Sequence, residues 1–302
     1  MNIKEYSSDK ELVSVVLPVH NGETYLRDAI ESILNQSYRK LELIVVNDCS
    51  TDGSKKIVEE FMANDNRVRL INNEINLRLP ASLNVGFAAT KGEYLTWTSD
   101  DNILYPNMIQ KLVSGIKSGY DFVYADTSYI DGDGNRMDII SNRRGSIWKA
   151  NIVGACFLYT RNVYETIGEY DTTAFLVEDY DYWIRVSLKF TLKYLDEELY
   201  SYRVHQNSLS GSKKNEIIVA TINQLKKYVK MEGMDKDNCN KIREQLVHYY
   251  YHLGWQKELR EELHYIKVNA MEQYNDIDKV LKLNQYLPKD FIEKMRALKN
   301  LI

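Results

Sequence analysis

The sequence predicts an α/β protein: a mostly parallel sheet flanked by helices over about its first two thirds, then an all-helical region. Two observations carry this. Short β-branched runs alternate with apolar residues at helical spacing over the first hundred residues, the pattern of βαβ units. Beyond Ser208–Lys214 (SLSGSKK) the β-type runs stop and only helical stripes continue. We expect a boundary there, with residues 1–210 forming one domain and 211–302 a second, helical one.

Leu12–Leu17 (LVSVVL), closed by Pro18, and Leu41–Val46 (LELIVV), ending at Asn47-Asp48, read as buried strands. Leu26, Ala29, Ile30, Ile33 and Leu34 lie on one helical face between them. Asp52-Gly53 is a turn, Ile57, Val58, Phe61 and Met62 a second helix, and Val68–Ile71 a third strand. Ala81–Ala89 is a third helix and Tyr94–Thr98 a fourth strand, and a further helix follows Pro106. Phe122–Tyr129 with Asp131-Gly132-Asp133-Gly134-Asn135 predicts a hairpin. Ile152–Leu158 and Leu192–Tyr202 are expected as strands, around a helix over 179–188. In the tail, stripes run through Ile218, Ile222, Leu225, Val229; through Ile242, Leu246, Tyr249, Tyr250, Leu253; and through Leu259, Leu263, Ile266. They continue through Ile277, Val280, Leu281 and finally Phe291, Met295, Leu298. This is a predicted array of four to six helices, and its aromatic run His248–His252 reads as core and rim.

Composition excludes several functions. The chain has 302 residues, 44% apolar and 27% charged, the balance of a globular protein. A net charge of −4 argues against a nucleic-acid surface. Cys49, Cys156 and Cys239 are too few and scattered for a disulfide framework or a zinc site. No run reaches the ~18 apolar residues of a membrane span, and no signal-peptide core is evident, so a cytoplasmic location is expected. No G-x-G-x-x-G follows the first strand, which disfavours a dinucleotide-dependent oxidoreductase.

In sheets of this class, ligands bind beyond the carboxyl ends of the strands. Three predicted strand ends carry polar residues: His20-Asn21, Asn47-Asp48 and Asp100-Asp101. Adjacent carboxylates at the end of a buried strand repel each other, and burial adds to the cost. A bound divalent cation removes both penalties. A turn or a helix cap is the plainer reading of an Asp-Asp pair.

Five ordered motifs bear on that choice: VSVVLPVHNG at Val13–Gly22, LIVVNDCSTDGS at Leu43–Ser54, and Gly92-Glu93-Tyr94 before the acidic pair, then Glu178-Asp179 before Tyr182-Trp183, and Tyr202-Arg203-Val204-His205. Over roughly residues 12–210 their order resembles that of the family 2 glycosyltransferases, which have the GT-A fold. WTSDDNILYP is similar to the matching segment of bacterial spore-coat and capsular polysaccharide transferases.

The resemblance implies an inverting transferase that uses Mg²⁺ or Mn²⁺. It would move a sugar from a UDP-sugar donor to a hydroxyl of a growing polysaccharide, glycolipid or other glycan, a lipid-linked acceptor among them. It assigns donor contacts to Pro18, His20, Asn21, Asp48, Arg78, Ser99, Asp100 and Gly154. His20 stands where the family has an aromatic beside uracil, and Asp48 where a carboxylate accepts from uracil N3. Arg78 stands where a glycine is common, suited to pair with a phosphate; a plain surface arginine is the alternative. Metal contacts fall on Asp100, Asp101 and His205, with Thr98 in place of the usual first acid. Asp179 is the general base, and Glu178 orients the acceptor or the local backbone. For Asp48 a turn-capping role at Ser50–Gly53 stays open, and for Glu178-Asp179 a helix-start role. The helical tail is open to three uses: packing on the catalytic domain, homo-oligomerisation, or peripheral attachment to the membrane. A sugar-nucleotide binder with weak catalysis, acting in assembly through the tail, is the rival function.

Overall fold

In the computed structural model the described residues are 9–138, 144–206, 208–271 and 273–277. Contacts divide the chain into two compact units, 1–143 with 153–206, and 144–152 with 207–302. The segment 144–152, which the sequence reading left in the first domain, groups with the helical unit.

The first unit opens with alternating elements: β1 (Asp9–Val19), α1 (Leu26–Leu34), β2 (Leu41–Asn47), α2 (Ser54–Asn64), β3 (Val68–Asn72), α3 (Leu79–Ala88) and β4 (Gly92–Trp97). It continues with β5 (Ile103–Leu104), α4 (Met108–Lys117), β6 (Phe122–Ile130), β7 (Arg136–Met137), β8 (Phe157–Thr160), α5 (Arg161–Ile167), α6 (Glu178–Ser187) and β9 (Leu192–Arg203). The sheet order is β3-β2-β1-β4-β8-β6-β9-β5, with β7 paired to β6.

From β3 to β4 every pairing is parallel, as the βαβ alternation predicts. Past β4 the sheet turns mixed: β8 runs antiparallel to β4 and β6, β9 parallel to β6, and β5 antiparallel to β9. The predicted strand 152–158 begins later, at Phe157. The 122–130 hairpin forms as expected, with Asp131 Oδ1 accepting from the amides of Asp133 (3.0 Å) and Asn135 (2.9 Å).

The core lies between the sheet and its helices. Val13, Val15, Leu17, Leu43 and Val45 point into it from β1 and β2, against Ala29, Ile30 and Ile33 of α1. Every residue of β2 is buried, which explains its unbroken apolar run. Pro18 sits in a central strand, yet β4 stops pairing with β1 at Val16↔Trp97, so its missing N–H costs no ladder bond there.

In the second unit α7 (Leu209–Ser212), α8 (Lys214–Val229), α9 (Lys236–Leu253) and α10 (Gln256–Asn269) follow in order. Ile222, Leu225, Ile242, Leu246, Tyr250 and Ile266 are buried, the residues of the predicted stripes. Trp148 packs edge-on against Tyr228 within this unit. The stripes through Val280, Leu281, Phe291, Met295 and Leu298 lie outside the described residues. Among the described residues no helix is long and apolar enough to cross a membrane.

Candidate functional site

Because β1 lies between β2 and β4, the three polar strand ends are brought side by side. Asp48 N donates to Val19 O (2.8 Å) and Thr98 N to Val16 O (3.0 Å), so each end is held to the middle strand. The loops beyond are laced together. Asn21 Oδ1 accepts from Thr51 N (2.8 Å), Ser54 Oγ from Gly22 N (3.0 Å), Asp52 Oδ2 from Glu23 N (3.1 Å), and Glu23 Oε2 from Gly53 N (2.5 Å). Asn21 thus fixes the second loop with its side chain, and its own backbone takes a positive φ of 56°.

His20 is exposed, and its Nδ1 lies 2.7 Å from the carbonyl of Asp48. A carbonyl only accepts, so in the neutral ring Nδ1 carries the proton and Nε2 is left as an acceptor. Asp48 itself is buried. Its Oδ1 accepts from Asn73 Nδ2 and Leu77 N, both at 2.8 Å, and its Oδ2 from Arg78 N at 2.9 Å. The carboxylate therefore closes the loop between β3 and α3. It does not cap the Ser50–Gly53 bend, whose amides are met by Asn47 Oδ1 (to Ser50, 3.2 Å), Asn21 Oδ1 (to Thr51, 2.8 Å) and Glu23 Oε2 (to Gly53, 2.5 Å).

The structure explains why glycine suits position 78. Arg78 has φ 67° and ψ 168°, a region nearly restricted to glycine that costs a substituted residue on the order of 1–3 kcal/mol. Its exposed guanidinium lies over the Phe175 ring, 5.2 Å from the centroid. Gly154 also has a positive φ, 61°. Cys156 beside it is fully buried in the core, a packing residue as expected.

Thr98, in the place of the usual first acid, turns inward. It is buried, and its hydroxyl lies 2.6 Å from that of the fully buried Tyr200. The half-buried Ser99 and Asp100 follow. Asp100 packs so tightly on the backbone of Gly22 that a Cβ there would fall 1.9 Å from Asp100 Oδ2. Burial and the neighbouring Asp101 raise its carboxyl to about 7. Asp101 Oδ2 lies 3.0 Å from His205 Nε2, while Asp101 Oδ1 is buried without a hydrogen-bond partner. Burial raises the Asp101 carboxyl too, although the His205 contact and the Arg203 charge oppose it.

An orphaned, buried carboxylate oxygen beside an imidazole nitrogen is a donor set that fits a divalent cation. Among the described residues no third His, Cys, Asp or Glu completes a cage. An ion held by Asp101 and His205 would keep open positions for diphosphate oxygens and water.

Glu178 and Asp179 open α6, with Asp181 in the same turn, where acids suit the helix dipole. The helix is anchored by aromatics: Tyr182 stacks on Tyr170 at 4.2 Å and Trp183 packs on Phe157 at 4.4 Å. Tyr170 OH accepts from Trp97 Nε1 (3.0 Å) at the end of β4, so the start of α6 is tied to the strand that carries the acidic pair. Asp179 is half-buried, and its Oδ1 accepts from Tyr180 N at 2.6 Å. Glu178 is buried, and its Oε2 has no hydrogen-bond partner. Burial first, then the Asp179 charge, raise its carboxyl to about 8.

This sets a pH dependence. A folded-state value above the unfolded one stabilises below the unfolded value, about 4.5, and that contribution is lost as pH rises through about 8. Between those limits the slope from one proton approaches about 1.4 kcal/mol per pH unit. Glu178→Gln is expected to lose less stability than the native chain between pH 5 and 9 in denaturant titrations. Parallel curves for the two proteins would show that Glu178 is ionised throughout.

Sequence reasoning missed three participants. Gly22 was visible inside its motif, but not its contact with Asp100. Arg203 was likewise visible inside its motif, but not its hold on the loop at Asp101, and Asn73, which holds Asp48, is visible only in the folded chain.

Comparison with known proteins gives the family and the fold. The model described as "Glycosyl transferase family 2" matches residues 14–178. An "Uncharacterized glycosyltransferase" of Haemophilus influenzae is 29% identical over 324 aligned positions, covering 95% of this chain and 98% of that protein. Glycosyltransferase GlyG of Streptococcus pneumoniae is 35% identical over 158 positions, covering 47% of this chain and 52% of its own. Among solved structures, S. aureus TarS 1-349 in complex with UDP-GlcNAc superposes with a TM-score of 0.66 at 15% identity, covering 91% of this chain and 93% of that one. Mannosyltransferase PcManGT from Pyrobaculum calidifontis, in complex with GDP-Man and Mn²⁺, gives 0.66 at 15% identity, with coverage of 99% and 88%. At such identity the two structures establish the GT-A fold.

Proposed function

This chain belongs to glycosyl transferase family 2, and from that premise we propose that it is an inverting, metal-dependent transferase using a UDP-sugar. The acceptor is a hydroxyl of a growing polysaccharide, glycolipid or other glycoconjugate of the bacterial cell envelope. The observation that carries the reading is the carboxylate of Asp101, with one buried oxygen unpartnered and the other beside His205. A Mg²⁺ or Mn²⁺ ion bound there would neutralise the donor diphosphate and stabilise the departing UDP. Asp100, on the Gly22 backbone, faces the ribose or the sugar. Asp179 removes the acceptor proton as that oxygen attacks the anomeric carbon in line and the bond to UDP breaks. One displacement inverts the centre, and no enzyme nucleophile is needed. In this reading His20 and Pro18 flank the base, Arg78 pairs with a phosphate, and Gly154 leaves room for the sugar. The chain works in the cytoplasm, at the inner face of the membrane, where lipid-linked acceptors lie.

Uridine is favoured over guanosine by counting lone pairs on Asp48. Oδ1 already accepts two hydrogen bonds and Oδ2 one, which leaves a single site on Oδ2. Uracil presents one imide N–H to it. Guanine presents two parallel N–H groups, which need both oxygens. GDP-Man in the similar PcManGT means that the fold alone does not choose the base.

The test is titration of UDP, GDP and CDP with Mn²⁺, then a screen of UDP-sugars by UDP release. Binding of UDP well above GDP, with release from one donor, is expected. Equal binding of GDP would reject the base assignment. UDP binding without turnover of any donor would favour the rival reading, a weakly catalytic binding subunit.

A further inference from the structure

We propose that Arg203 is a positioning residue that sets Asp101 and His205 in place before the donor arrives. The inference rests on reading those two side chains as the ion's protein ligands. Arg203 closes β9, two residues before His205, and its side chain is only 3% exposed. A buried guanidinium is costly without a close anionic partner. Here the nearest carboxylate, Asp28, is 3.9 Å away and itself 63% exposed. The donors go instead to backbone carbonyls: Nε to Asp101 O (2.8 Å), and one terminal nitrogen to Gly132 O (3.0 Å) and Asp131 O (3.3 Å).

These contacts have one geometric result. The backbone N–H of Arg203 donates to Asn102 Oδ1 at 2.8 Å while its Nε holds the carbonyl of Asp101. Residues 101 and 102 are thus pinned from one side by a single residue. The pairing Ile103↔Ser201 continues this register, setting Asp101 opposite Arg203. Fixing the 101–102 peptide fixes the direction in which the Asp101 carboxylate leaves the chain. The other ligand is held through an aromatic plate. The guanidinium lies 4.4 Å over the Tyr25 ring, and that ring lies 5.1 Å from the imidazole of His205. The hairpin turn makes room for the plate: a Cβ on Gly132 would come 3.3 Å from Tyr25 OH. Supporting groups of this kind alter metal affinity by about 10–100-fold when removed.

The experiment measures Mn²⁺ affinity of the full, nucleotide-free chain, by calorimetry and by the Mn²⁺ paramagnetic resonance signal, beside UDP affinity in EDTA. Arg203→Gln and Arg203→Lys are both expected to weaken Mn²⁺ binding by about 10–100-fold and to leave metal-free UDP binding unchanged. A lysine keeps the charge but not the fork that reaches three carbonyls. Native Mn²⁺ affinity in Arg203→Gln, full rescue by Arg203→Lys, or equal loss of both affinities would overturn the proposal. Should neither variant fold, Tyr25→Leu carries the test, since it removes the plate from a half-buried position; it is expected to weaken Mn²⁺ binding severalfold, and an unchanged affinity overturns the inference. Asp101→Ala separates the two levels. If it binds Mn²⁺ as the native chain does, the metal reading fails; if it loses Mn²⁺ and the Arg203 variants do not, only the positioning role fails.

Discussion

Asp179→Asn is expected to lower sugar transfer by about 10²–10⁴-fold, the range for loss of a general base, and to leave UDP and Mn²⁺ binding unchanged. Asparagine keeps the size of the side chain and an oxygen able to accept from Tyr180 N, so the first turn of α6 stays intact. What it removes is the ability to take a proton. The two adjacent acids differ in the way the roles require. Glu178 is buried, and burial with the Asp179 charge raises its carboxyl to about 8, which disfavours the ionised form at neutral pH. Asp179 is half-buried at the helix start, with Tyr182 and Trp183 fixing the helix behind it. UDP release and acceptor transfer should fall together in Asp179→Asn. Normal turnover would remove Asp179 from the mechanism, whatever the effect on binding.

The parallel half of the sheet was legible because β2 and most of β1 and β4 are buried on both faces and α1 on one. Such burial leaves a plain mark: the unbroken run of β2 and the spaced apolar residues of α1 admit few other readings. The mixed half was less legible for a physical reason. β5 has two residues, too short for any pattern, and exists through its pairing with β9 a hundred positions away. β8 owes its direction to β4 and β6, neither adjacent in sequence. The segment 144–152 has no periodicity that would group it with the distant helical unit, and only contacts assign it there.

The site divides the same way. Asp48, Asp100 and Asp101 follow buried strands, so their place beyond the sheet could be read directly. What each oxygen touches could not. The bonds to Asp48 come from residues 25–30 positions later, and that pattern is what limits the base it can accept. Thr98 looked like a missing acid; its hydroxyl faces Tyr200, so an acid there would be buried away from the crevice. Arg78 looked like a gain of charge at a glycine position, and the folded chain shows the conformational cost that accompanies it.

Asp101→Ala is expected to abolish Mn²⁺-dependent UDP binding and to cut transfer by at least about 10²–10³-fold, the scale for losing one group that stabilises charge in the transition state. The argument runs from cost to purpose. An anionic oxygen held in the protein without a partner is destabilising, and Asp101 Oδ1 is in that state while its other oxygen meets His205. A cation bound between diphosphate and carboxylate repays the cost only in the donor complex. Two readouts follow with opposite signs. Asp101→Asn, which keeps the shape and can still bond His205, should lose activity while the metal-free protein becomes no less stable in thermal melts. In the native chain Mn²⁺ should add to the rise in melting temperature that UDP gives alone, and in Asp101→Asn that added rise should vanish. If Asp101→Ala bound UDP with native affinity and native Mn²⁺ dependence, the ion would have to be held elsewhere, and the Asp101–His205 pair would be a hydrogen bond within the loop.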